Sequence, residues 1–108
     1  MTTTGRRSGE PRTVTLYGFV DGDGIVIVGS LGGSARNPAW VHNLRAEPSA
    51  RLKAGTSTRP VRAREVSGTE RDRLWDLVTA AFPLYATYQR RTKRTIPLFV
   101  LEPAAAGA

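Results

Sequence analysis

Ile25-Val26-Ile27-Val28 is apolar at every position, and the chain then passes through a Gly32-Gly33 pair into a segment that opens Asn37-Pro38. No other part of the sequence constrains the fold as much. A short apolar run bounded by turn residues reads as a strand buried on both faces, so structure must cover it from above and below. Asn37 reads as a helix N-cap and Pro38 as the first helical residue, with Pro48 stopping the helix near Glu47. Unpaired backbone N–H groups and the positive end of the helix dipole therefore gather just after the glycine turn, and Arg36 adds a full charge beside them. A second basic turn, Thr4-Gly5-Arg6-Arg7-Ser8-Gly9 with Arg12 beyond it, offers another wall for an anion.

The remaining segments alternate between hairpins and helices. Arg12 to Val20 is rich in β-formers and ends at Asp21-Gly22-Asp23-Gly24, which predicts a hairpin with the apolar run. Arg51–Ala54 and Thr58–Val66 flank Gly55-Thr56 as a second hairpin. Ser67 with Glu70 forms a capping-box pattern, and Leu74, Trp75, Val78, Ala81 and Phe82 recur at helical spacing until Pro83, as core positions. A further short helix carries Tyr85 and Tyr88, and Ile96 to Leu101 closes the fold as a strand. The order β-β-α-β-β-α-β, without a strand-helix-strand repeat, predicts a small α+β antiparallel barrel rather than a doubly wound parallel sheet. Residues 1–103 read as one domain and 104–108 as a disordered tail.

Composition narrows the chemistry. The chain has no cysteine and one histidine, so no metal site, thiolate chemistry or disulfide framework is expected, and a cytoplasmic setting fits. His42 has no carboxylate signal attached to it, which argues against a hydrolytic triad. No apolar run is long enough to span a membrane. Sixteen basic residues against nine acidic give a net charge of +7, and fourteen of the bases are arginine, the side chain suited to forked contacts with phosphate. Arg71, Arg73, Arg90 and Arg91 read as a solvated helix face. Neither Walker nor G-x-G-x-x-G spacing is present. A protein so equipped holds an anionic organic cofactor and leaves the reaction to it.

The Thr-Thr-Gly-Arg-Arg-Ser-Gly-Glu-Pro-Arg run (3–12), the Gly-Gly…Asn-Pro-x-Trp-x-x-Asn-Leu run (32–44) and the Tyr-x-x-Tyr-Gln…Thr-x-x-x-Ile-Pro ending (85–97) resemble the deazaflavin-dependent nitroreductases of actinobacteria. The resemblance implies a split β-barrel, similar to that of FMN-binding oxidases, with flanking short helices and a first strand truncated relative to the family. Such truncation implies an open edge, a more exposed substrate pocket or a strand borrowed from a neighbouring subunit. The implied cofactor is reduced coenzyme F-420, an 8-hydroxy-5-deazaflavin that passes a hydride to nitroaromatics, quinones and conjugated enones or lactones. By the same resemblance Arg6, Arg7, Ser8, Gly9 and Arg12 hold its phosphate and acidic tail. Val28, Gly29, Ser30, Leu31 and Gly32 approach the ring system, and Ala39, Trp40, Val41, Asn43 and Tyr85 complete the lining. Phe82, Tyr85 and Tyr88 meet the substrate, and Ser30 is the catalytic candidate, through a hydrogen bond to the ring or proton delivery. Leu31 stands where the family carries a lysine, and Phe82 where it often carries a tyrosine. Peripheral membrane association is expected for lipophilic acceptors. The competing expectations are an FMN-binding oxidoreductase, a non-catalytic cofactor carrier, and a basic barrel stacking single-stranded nucleic acid on exposed Trp40, Tyr85 and Tyr88.

Overall fold

A computed structural model describes residues 1–104. Its sheet is built from β1 (Thr2–Thr4), β2 (Pro11–Thr13), β3 (Phe19–Asp21), β4 (Gly24–Val28), β5 (Ser49–Ala54), β6 (Ser57–Glu65) and β7 (Leu98–Pro103). Three helices, α1 (Ala39–Ala46), α2 (Gly68–Ala81) and α3 (Leu84–Arg90), and one 3-10 turn (Leu31–Gly33) complete the elements of the described residues. The strands pair in the order β2-β1-β5-β6-β7-β4-β3, every pair antiparallel.

Burial explains why β4 and β7 are apolar at nearly every position. Ile27, Phe99 and Leu101 point to one face, where they pack with Trp40, Val41 and Leu44 of α1 and with Ala50, Val61 and Ala63. Val26, Val28, Leu98 and Val100 point to the other, against Leu74 and Val78 of α2 and Tyr85 of α3. Both strands sit in the interior of the sheet, so each alternate side chain finds a covered face.

The sheet cannot be flat. Its edges are β2 and β3, which are consecutive in the chain and joined only by Val14–Gly18. Six steps at about 4.8 Å would set the edges of a flat sheet ~29 Å apart. The six residue steps from Thr13 to Phe19 reach at most ~22 Å. The sheet therefore curls, and the connecting segment crosses its concave side, with Val14 and Leu16 packed on the α1-side core.

Several sequence expectations change here. Arg12 to Val20 is not one strand: Arg12 and Thr13 belong to one sheet edge and Phe19 and Val20 to the other. The side chains of Val14 and Leu16 pack on the α1-side core, and Val14 exchanges backbone hydrogen bonds with Met1 at 2.9 and 2.8 Å. The N-cap of α1 is Pro38 rather than Asn37, because the Asn37 side chain is engaged by Arg94, whose Nη1 donates to Asn37 Oδ1 at 2.6 Å. Ser67 is the N-cap of α2 but makes no side-chain capping bond, and the Glu70 carboxylate is held by Arg64 rather than closing a capping box. Ala81 and Phe82 are exposed rather than core. Ala104, placed in the expected tail, donates its N–H to Pro60 O at 3.2 Å, and 105–108 lie outside the described residues.

Candidate functional site

One side chain joins the basic β1–β2 turn to helix α1. Asn43, buried on α1, donates from Nδ2 to Thr3 Oγ1 at 3.2 Å and accepts at Oδ1 from the Arg6 backbone N–H at 3.0 Å. Its amide thus ties the β1–β2 turn to the helix. Gly5 permits that tight turn, since a Cβ there would lie 2.8 Å from Ser8 Oγ and 3.1 Å from Glu10 O.

Between the turn, the start of α1, the Ser30–Asn37 loop and the Val14–Tyr17 segment lies a cleft of about 810 Å³. Its lining contains the guanidinium groups of Arg6, Arg7, Arg12 and Arg36 and no carboxylate. None of the four is in an ion pair among the described residues. Arg12 reaches Ser8 Oγ from Nη2 at 3.3 Å. The N-terminus of α1 adds Pro38, Ala39 and Trp40 to the wall with no side-chain cap over it. Apolar surface fills the rest, from Val14, Leu16, Val28, Leu31, Trp40 and Tyr85. A cleft with arginines and an apolar wall suits a ligand that joins an anionic group to a flat organic ring.

Of the residues singled out in the sequence, the cleft brings together Arg6, Arg7, Ser8, Arg12, Val28, Ser30, Leu31, Ala39, Trp40, Asn43 and Tyr85. Gly9, Gly29, Gly32, Val41, Phe82 and Tyr88 do not line it. Val41 is fully buried in the core, and Gly29 is packed away from the cleft, where a Cβ would lie 2.8 Å from Val41 Cγ2 and 2.9 Å from Pro97 Cγ. Gly32 and Gly9 occupy left-handed turn positions with nothing near them. Trp40 is not an exposed stacking surface: it is 6% exposed and packs edge-on against Phe99. Tyr85 is also buried, so the aromatic platform required for single-stranded nucleic acid is absent from these positions.

The aromatic residues instead form a connected cluster. Tyr85 meets Phe82, Tyr88 and Phe19 at centroid distances of 4.9, 6.2 and 6.0 Å, and Tyr17 of the crossing segment meets Phe82 at 6.4 Å. Burial pushes the Tyr85 hydroxyl above its ordinary range, with Tyr88 and Tyr17 adding to the effect.

His42 on α1 lies in the field of Arg6 from the cleft and of Arg45. Burial lowers its pKa below the ordinary value of 6.5, and Arg6 and Arg45 lower it further. A histidine depressed in the folded state binds its proton more readily when unfolded, so folding stability falls as pH drops below about 6.5 and is fully retained above it. A His42→Gln variant should lose this component of the acid sensitivity. In an NMR titration of the parent, His42 should titrate below 6.5, and a polyanion bound beside Arg6 should move it upward.

Arg94 escaped the sequence reading altogether. Its guanidinium reaches back to the cleft loop and meets the carbonyls of Gly29, Ser30 and Ser34 and the Asn37 side chain. Arg71, expected on a solvated face, is half-buried, with Nη2 donating to Ile96 O at 2.7 Å and its plane over Trp75. Only the Thr-x-Arg-x-Ile-Pro placement of Arg94, immediately before a strand, could have distinguished it from its basic neighbours.

A family model described as F420H(2)-dependent quinone reductase matches residues 1–103. The F420H(2)-dependent quinone reductase Rv1261c of Mycobacterium tuberculosis is 41% identical over 102 residues, which cover 92% of this chain and 68% of that protein. Among solved structures, one titled as an F420-H2 dependent reductase (FDR-A) superposes with a TM-score of 0.85 at 39% identity, covering 94% of this chain and 90% of the other. A second, described as a domain-swapped dimer, gives the same TM-score and identity over 94% of this chain and 76% of the other.

Proposed function

This chain belongs to the F420H(2)-dependent quinone reductase family, and from that premise we propose that the cleft binds reduced coenzyme F420 and brings a quinone beside it for two-electron reduction. The observation that carries the reading is the lining itself, with Arg6, Arg7, Arg12 and Arg36 and no opposing carboxylate beside an apolar wall. That donor set fits a coenzyme that joins a phosphodiester and an acidic tail to a deazaflavin ring.

The coenzyme, when bound, supplies the hydride. The chain's own residues do the rest. Arg6, Arg7 and Arg12 hold the anionic end, with Ser8 Oγ orienting Arg12. Trp40, Val28 and Leu16 would exclude water from the ring portion, and Ser30 adds a hydroxyl-bearing residue to the wall that would hold it. Reduction of a quinone to a hydroquinone consumes a hydride and a proton. Tyr85 Oη, in the cleft wall, would donate a hydrogen bond to the quinone oxygen as negative charge develops there, and the proton would come from solvent. Phe82 and Tyr88 back Tyr85 rather than line the cleft, and act on the acceptor through it.

The curled sheet is read as a split β-barrel whose gap is crossed by Val14–Gly18, with residues 1–103 forming one domain. A cytoplasmic setting belongs to the same reading, and the net charge of +7 favours peripheral contact with an anionic membrane when the acceptor is lipophilic. Titrating the protein with reduced coenzyme F420, FMN and a labelled oligonucleotide tests the proposal, followed by quinone-dependent oxidation of the reduced coenzyme. Binding and turnover with the deazaflavin alone are expected. Binding of FMN or the oligonucleotide without the deazaflavin would overturn it.

The tyrosines separate by position. Tyr85→Phe should leave coenzyme affinity and the thermal midpoint nearly unchanged while lowering kcat about tenfold, the scale of one hydrogen bond made in the transition state. Tyr88→Phe, which removes a hydroxyl outside the cleft, should be nearly silent in steady-state kinetics.

A further inference from the structure

We infer that Arg94 is a positioning residue for coenzyme binding, holding the Gly29–Asn37 loop in the shape that forms one wall of the cleft. The inference rests on the coenzyme reading above. Arg94 lies between α3 and β7, more than fifty residues from the loop in sequence. Its Nη1 donates to Gly29 O at 3.0 Å and Asn37 Oδ1 at 2.6 Å, its Nη2 to Ser30 O at 2.7 Å and its Nε to Ser34 O at 2.8 Å. The planar fork of a guanidinium can serve these acceptors together, whereas an ammonium group cannot.

The loop needs such a clamp. Leu31, Gly32 and Gly33 hold consecutive φ values of 44°, 64° and 82°, and the first of them is a side-chain-bearing residue in the left-handed region. Its own backbone contributes the bonds Gly33 N–H to Ser30 O and Ser34 N–H to Leu31 O. A conformation of this kind persists only where the surroundings impose it. Arg94 fixes the loop at both ends, and Ser30, Leu31, Arg36 and Asn37 face the cleft between those anchors.

The electrostatics point the same way. All four acceptors are neutral, and Arg94 has no carboxylate partner among the described residues, so its charge stays uncompensated behind the wall. Three carbonyl dipoles are turned onto the guanidinium and therefore off any anion bound in the cleft. A relaxed loop would return them.

The test compares Arg94→Lys, which keeps the charge but not the fork, with Arg94→Met, which keeps neither, and with Asn37→Ala, which leaves the three carbonyl bonds. Coenzyme Kd is read from fluorescence titration well below each variant's thermal midpoint, and quinone KM from steady-state turnover. Both Arg94 variants should raise the coenzyme Kd about tenfold or more, the scale of a lost charge-assisted bond, and Asn37→Ala about threefold, because the three carbonyl bonds still hold the loop. Quinone KM should stay within twofold. In Arg94→Ala, millimolar guanidinium should restore much of the coenzyme affinity. If the Arg94 variants do not fold, Asn37→Ala decides the question. A coenzyme Kd within twofold of the parent in Asn37→Ala and in every folded Arg94 variant would overturn the assignment while leaving the function reading intact. So would a loss that merely follows the unfolded fraction. Failure of the parent protein to bind the coenzyme would instead remove both.

Discussion

Replacing Arg7 or Arg12 with alanine is expected to weaken binding of reduced coenzyme F420 about tenfold each, and the double replacement about a hundredfold. Both side chains are exposed, Arg7 in the β1–β2 turn and Arg12 on the edge strand β2, and neither belongs to either core. Each charge-assisted contact with a phosphate or carboxylate contributes about 1.5 to 3 kcal/mol. The losses should be smaller at high salt, since partly exposed pairs are screened over about 10 Å at 0.1 M. They should also grow with the length of the glutamate tail. Leu31→Lys, placing a donor on an exposed lip of the same cleft, should move affinity in the opposite direction. Fluorescence titrations across a salt series measure all four proteins. Unchanged affinity in the double variant would place the anion site elsewhere.

Gly33→Ala is expected to destabilise the protein by about 3 kcal/mol and to lower its thermal midpoint by roughly 10 to 20 °C. The backbone at Gly33 has φ +82°, and an added Cβ would sit 2.8 Å from Tyr88 O, 3.1 Å from Tyr88 Cα and 3.1 Å from Arg91 Cβ. Two costs combine. Left-handed strain accounts for about 1 to 2 kcal/mol and overpacking against backbone for about 1 to 3 kcal/mol. Because the obstacle is the last turn of α3, relief would push that helix off the cleft loop and carry Tyr85 with it. Turnover should therefore fall even at temperatures where the variant is folded. Gly32→Ala is the control, with a similar φ of +64° and nothing within 4 Å, so only the strain applies. Equal midpoints for the two variants would refute the contact argument.

The parts of the fold that the sequence made legible are those in which burial repeats at a fixed period. β4 and β7 are apolar on both faces because both faces are covered, and Leu74 and Val78 of α2 share one buried stripe. The β5–β6 hairpin follows from its Gly55-Thr56 turn. Polar roles were harder to read. Asn37 has the composition of a cap, and Glu70 that of a capping-box partner, yet each is taken by a distant arginine. Arg94 looks like any other member of a basic cluster, because its partners are main-chain carbonyls that no residue type advertises. Trp40 could be placed at the cleft from its motif, but its burial against Phe99 depends on the curl of the sheet.

The last strand in the chain lies in the interior of the sheet, between β6 and β4. During synthesis the β3–β4 hairpin and the β5–β6 hairpin must therefore wait, each with one unpaired margin, until residues 98–103 leave the ribosome and slot between them. The register Ile27↔Phe99 closes a loop of more than seventy residues, the kind of late, long-range closure that slows folding and exposes nascent margins to aggregation. Arg94 emerges just ahead of that strand. The cleft, whose Arg6, Arg7 and Arg12 precede β7 by more than eighty residues, thus acquires its loop clamp only when the sheet is ready to zip shut.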